Sequence, residues 1–186
     1  NSKFNQMYFT RCSNDKGTLQ GCKIMVSRRA GRNWGEPKAL DLGGDSTTVF
    51  GNPSISPDEL TLVFTSNLPN GQGGKDIWMS TRKSPNDNFG RALNAGPVIN
   101  TPSDEMFPFM RNDTTLYFSS NGHPGLGGLD IFRTTFSNGE WTKPVNLQAP
   151  LNSPGDDFGI VFNPEEDKGF FSSNRKGGRG SDDLYS

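Results

Sequence analysis

Histidine is almost missing from this chain: His123 stands alone among 186 residues, beside only two cysteines, Cys12 and Cys22. A Ser-His-Asp triad would have to use His123, which falls in the turn Asn121-Gly-His-Pro-Gly125, where a lone loop histidine is ordinarily solvated. Two thiols with no histidine nearby make a poor zinc site. Hydrophobic residues are scarce at 31%, and no apolar run approaches the ~20 residues of a membrane-spanning helix. Net charge is also missing. With 19 basic and 20 acidic side chains the total is −1, so no strong field for nucleic acid or an anionic membrane follows. The cluster Arg28-Arg29-Ala-Gly-Arg32 reads as a solvated hairpin end. No signal peptide is visible, but the chain starts in the middle of a repeat, and a leader or lipid anchor could lie upstream.

What is present is aromatic and turn-rich: 14 Phe, 3 Trp, 23 Gly and 13 Pro. Such a chain builds its core from aromatics, and its many turns suit short strands better than helices. The stretch Thr115–Phe132 reads as a β-hairpin: Leu116 to Phe118, then Ser119-Ser-Asn121, a glycine-rich turn, and Leu129-Asp-Ile-Phe132. The pattern recurs from Leu62 to Trp78 and from Gly169 to Tyr185, with a worn copy from Met7 to Met25. The anchors Phe9, Phe64, Phe118 and Phe171 are separated by 55, 54 and 53 residues. A steady period of this kind signals a repeat architecture.

Each repeat carries four strand candidates. The innermost is Gly51–Ser56, matched by Met106–Met110 and Phe158–Phe162; the second is of the Leu62–Ser66 type; the third of the Asp76–Thr81 type; the fourth follows an aromatic turn, as Lys38–Leu42, Ala92–Asn94 and Val145–Leu147. The second strands are apolar on both faces, as strands buried on both sides are. Four-stranded antiparallel units stacked around an axis are the blades of a β-propeller. The expected fold is therefore all-β: one propeller domain over residues 1–186, with repeats at about 3–56, 57–110, 111–164 and 165–186. The strand count of three, four, four and three describes about four blades in an open arc, a fragment of a larger propeller.

The polar features repeat with the blades. Asp76, Asp130 and Asp183 each follow a glycine-rich turn. A carboxylate there accepts N–H groups across the turn, whereas a calcium site would need six or more oxygens and finds one carboxylate per repeat. The pairs Asp104-Glu105 and Asp156-Asp157 are 52 residues apart, just before the innermost strand. Two carboxylates suit a glycosidase, but repetition favours a feature at the pore mouth, because catalysis needs one asymmetric site. With Phe107 and Phe158 beside them, they form the candidate partner patch, in which apolar burial supplies affinity and charge supplies selection. Cys12 and Cys22 flank the first hairpin turn. A disulfide across the hairpin fits an exported protein, with Cα atoms expected within the ~4.4–6.8 Å such a bond spans; two free cytosolic thiols are the alternative.

The signature Ser172-Ser-Asn-Arg-Lys-Gly-Gly-Arg-Gly-Ser-Asp-Asp-Leu-Tyr185, with its copies from Ser119 and Ser66, resembles the PD40 family, the WD40-like repeats of TolB-type propellers. The long period and the Trp/Phe-x-x-Pro turns look like propellers of Bacteroidetes outer-membrane-associated proteins of the OmpA family, some of them in the type IX secretion system. The resemblance implies a non-enzymatic scaffold, periplasmic and outer-membrane-associated. It implies cell-envelope proteins as partners, peptidoglycan association through flanking domains, no nucleic acid and no cofactor. It carries across a structural turn role for Asn67, Asn121 and Asn174 with Asp76, Asp130 and Asp183. The alternative function is a carbohydrate-binding or glycan-degrading propeller.

Overall fold

The computed structural model describes residues 1, 3–15, 18–164 and 166–186. It contains four antiparallel sheets and, among the described residues, no helix. The first sheet holds β1 (Gln6–Asp15), β2 (Thr18–Ala30), β3 (Asn33–Trp34) and β4 (Lys38–Ala39). The second holds β5 (Phe50–Ile55), β6 (Thr61–Ser66), β7 (Asp76–Thr81) and β8 (Leu93–Asn94). The third holds β9 (Glu105–Met110), β10 (Thr115–Ser120), β11 (Asp130–Ser137), β12 (Glu140–Trp141) and β13 (Val145–Asn146). The fourth holds β14 (Asp157–Phe162), β15 (Gly169–Ser173) and β16 (Asp183–Tyr185). Strand neighbours follow chain order within each sheet, as in propeller blades, except that β4 pairs with β2 beyond β3 and β13 with β11 beyond β12.

The double-sided apolar strands explain the stacking. Leu62, Val63 and Phe64 of β6 have no exposed surface. Leu62 and Phe64 join Ile24, Phe50 and Trp78 in one core, whereas Val63 joins Ile77, Leu116 and Phe118 in the next. Alternate side chains of one strand thus serve two neighbouring blade junctions. Burying each such side chain stabilises by about 1.5–3 kcal/mol. A third core of Ile131, Ile160 and Phe171 joins the third and fourth sheets. Among the described residues, no strand of the first sheet packs against one of the fourth, so the four blades form an open arc.

Two boundaries differ from the sequence reading. The fourth strands are only two residues long. In the second and third sheets the reason is a side chain. Asn100 accepts the Ile77 N–H at 2.8 Å, so that N–H makes no backbone rung, and donates to the Ile77 carbonyl at 2.9 Å, which also accepts the Ala95 N–H at 3.0 Å. Asn152 does the same to Ile131, at 2.8 and 2.9 Å. The inner strands, conversely, begin earlier than expected, at Glu105 and Asp157 themselves.

Candidate functional site

The early start of the inner strands redistributes the carboxylates read as a partner patch. Glu105 and Asp157 have no exposed surface. Glu105 accepts from the Thr101 N–H and hydroxyl, both at 2.7 Å, and from the Ser120 hydroxyl at 2.6 Å. Asp157 accepts from Ser153 and pairs with the Arg175 guanidinium at 2.6 Å. Burial alone would push the Asp157 pKa up, but hydrogen bonds from Ser173, Arg175 and Ser153 outweigh it and hold the carboxyl below its ordinary range. Asp104 and Asp156 tie consecutive blades together: their Oδ1 atoms accept the Lys75 and Leu129 N–H groups of the preceding sheet, each at 2.8 Å. Glu105 and Asp157 are thus enclosed within the molecule, whereas Asp104 and Asp156 remain half-buried at the surface. Sequence placed the pairs along the chain but could not show that the second member of each, Glu105 and Asp157, turns inward.

The turn residues are also committed within the molecule. Asp76 accepts from the Gln72 and Gly73 N–H groups, Asp130 from Leu126 and Gly127, and Asp183 from Arg179 and Gly180. Each carboxylate fills the space where Gly71, Gly125 or Gly178 would carry a Cβ, which is why glycine stands at these three places. Asn67, Asn121 and Asn174 accept the N–H of Val49, Asp104 and Asp156 at 2.8, 2.9 and 2.6 Å, joining each turn to its own inner strand. Cys12 and Cys22 are disulfide-bonded. Their Cα atoms are 3.9 Å apart, closer than expected, because they face each other directly in the β1–β2 register beside an irregularity.

His123 is not the solvated loop residue that the sequence suggested. Its Nε2 lies 2.7 Å from the Ile99 carbonyl, and its ring packs against Phe118 and Phe132 with centroids 5.9 and 5.2 Å away. No serine hydroxyl is hydrogen-bonded to the ring among the described residues, so no triad assembles around it.

What the inner strands present instead is an apolar groove of about 960 Å³ on the concave side of the arc. Its lining includes Pro53, Phe107, Pro108, Phe109, Val161 and Phe162. Each inner strand bulges at one equivalent residue with a left-handed backbone: Asn52 (φ 48°), Phe107 (φ 53°) and Gly159 (φ 68°). Asparagine and glycine accept that conformation readily; phenylalanine does not. Phe107 is therefore the strained member. The bulge re-aims its ring onto Phe158 across the blade border, centroids 4.9 Å apart. Further along, Phe109 and Tyr117 meet Phe162 at 6.1 and 4.9 Å. Arg111 lies over Phe162 at 4.7 Å while bonding the Asn163 and Glu166 carbonyls and Asp167, so its charge is spent locally. Phe107 and Phe158 were legible as candidates; the bulge that couples them was not, since Asn52, Phe107 and Gly159 share no side-chain chemistry.

Four antiparallel sheets stacked edge-inward around a concave face define a β-propeller. Among solved structures the chain is similar to TolB from Acinetobacter baumannii, with a TM-score of 0.55 and 14% identity over 95% of this chain and 37% of that one. It is also similar to a Mycobacterium tuberculosis puromycin-hydrolyzing peptidase, with a TM-score of 0.53 and 13% identity over 91% of this chain and 26% of that one. The chain thus spans well under half the length of either. No family model and no curated protein matches it.

Proposed function

We propose that this chain is a protein-binding propeller scaffold of the cell envelope, and that the concave groove is where it binds. The aromatic groove carries the reading. Phe107 is held in a backbone conformation that costs of order 1–3 kcal/mol, and such strain is a pointer to function. Apolar side chains remain open to water there, with Phe4 71% and Val161 47% exposed. A contiguous apolar patch lined by aromatics and prolines suits an apolar segment of another protein. The partner's anchors would be aromatic or aliphatic, with burial rather than charge supplying the affinity.

The disulfide supports an exported, periplasmic setting. The resemblance of the repeats supports the finer reading: a non-enzymatic part of an envelope complex such as the type IX secretion machinery, tied to peptidoglycan through flanking domains. An aromatic groove also suits a glycan, which is the second reading. Affinity purification from the native envelope with wild type and Phe107→Asn separates them. A co-purifying protein lost in the folded variant supports the scaffold. Partners retained by the variant, or glycan binding by the purified wild type alone, would overturn it.

A further inference from the structure

A second cavity, of about 410 Å³, lies at the border of the first and second sheets, away from the concave groove. Its volume falls in the range of small-ligand sites. Most of its lining is apolar. Leu42, Trp78 and Ala92 are buried members of the first core and form its floor, and Leu68 packs partly against the same core. Leu93, 69% exposed, brings apolar surface to its mouth.

Two polar groups of the lining stand without partners. The first is the Trp78 indole. Its Nε1–H is buried and meets no acceptor among the described residues. Buried donors are nearly always hydrogen-bonded, so an orphaned one calls for an explanation. The matching places of the third and fourth sheets, opposite Phe118 and Phe171 as Trp78 is opposite Phe64, hold Phe132 and Tyr185, so this indole donor is not a repeated feature of the fold. The second is Arg91. Its side chain is exposed and makes no ion pair among the described residues. No acidic side chain lines the cavity, so its one charge is positive.

We infer that this cavity binds a small apolar carboxylate, either a free branched-chain acid or the C-terminal residue of a peptide. An apolar floor with one unpaired donor and one unpaired cation complements an apolar tail that ends in an anionic acceptor. A carboxylate answers both polar groups: it pairs with the guanidinium in a charge-assisted contact, and it offers lone pairs to the indole N–H. The tail covers Leu42, Leu68 and Leu93, where apolar burial supplies the rest of the affinity. Binding here does not depend on the groove, which has a separate lining.

The test is a titration of the purified protein with isocaproate, read at the Trp78 indole N–H resonance, which the Trp78→Phe variant identifies. Isocaproate should shift that resonance saturably. Isocaproamide, with the same tail but no charge, and acetate, with the charge but no tail, should each bind weaker by about tenfold or more. Arg91→Gln should weaken isocaproate by about tenfold and leave the unfolding midpoint in place, because the side chain it replaces is exposed and unpaired. Leu93→Glu, at an equally exposed position, should abolish the shift by placing a like charge at the mouth. Phe107→Asn should leave binding unchanged, which separates this site from the groove. N-acetyl-alanyl-leucine distinguishes the two sources: tighter binding than isocaproate identifies a peptide C-terminus, and weaker binding a free acid. No shift with isocaproate in wild type, an equal response to isocaproamide or to acetate, or an unaltered response in folded Arg91→Gln would each overturn the inference.

Discussion

Phe107 and Phe158 stack at 4.9 Å between centroids across the border of the third and fourth blades, and Phe107 reaches that position from a left-handed backbone. Asn52 occupies the equivalent bulge of the preceding blade with φ 48°. Phe107→Asn therefore exchanges an ill-suited residue for one the fold already uses. Relief of strain offsets the lost ring contact, which is worth about 0.5–1.5 kcal/mol. The expected change in unfolding free energy is under about 1 kcal/mol in either direction, together with loss of the partner. A loss of several kcal/mol in urea unfolding would show the stack to be structural instead.

Arg175 and Asp157 give a second prediction. Asp157 has no exposed surface, and the Arg175 side chain retains 21%. Arg175→Met leaves a buried carboxylate without its cation, expected to cost about 3 kcal/mol at neutral pH, the low end for such pairs because the arginine still reaches water. The folded pKa of Asp157 is depressed. Its contribution is therefore fully present above the ordinary carboxylate value of about 3.9, and lost as pH falls through the lower folded value. The gap between wild type and Arg175→Met should narrow in acid, once the carboxyl is protonated. A gap constant from neutral pH to below pH ~3 would contradict the pairing.

The Cys12–Cys22 disulfide closes a loop with a sequence separation of 10. By loop entropy it is expected to contribute about 2–3 kcal/mol. Urea unfolding of the protein with and without reductant should show the midpoint falling on reduction. Thiol alkylation of the non-reduced native protein should find neither cysteine free.

The period, the strand order and the third-strand boundary at Asp76 were legible because aromatic anchors and glycine-rich turns are local signals. The inward carboxylates were not. Glu105 and Asp157 follow turn residues and look solvated in sequence, and what buries them comes from elsewhere: the Ser120 hydroxyl for one, Arg175 for the other. Asn100 and Asn152 were missed for a similar reason, since an asparagine before a turn reads as turn chemistry until its amide is seen pairing both backbone groups of Ile77 or Ile131. The only available signal was the recurrence of Asn94 with Asn100 and Asn146 with Asn152 at one spacing. The role of His123 was equally hidden, because filling a junction depends on the aromatic beneath it and the carbonyl beside it.

The most direct measurement of the scaffold reading is site-specific photo-crosslinking in the native envelope. A photoreactive residue replaces Val161, which is 47% exposed in the groove; in a control it replaces Leu126, 45% exposed on an outlying turn. A groove that receives a partner gives a discrete protein adduct from position 161, absent from 126 and lost when Phe107→Asn is added. No adduct from position 161, or the same adducts from both positions, would contradict it.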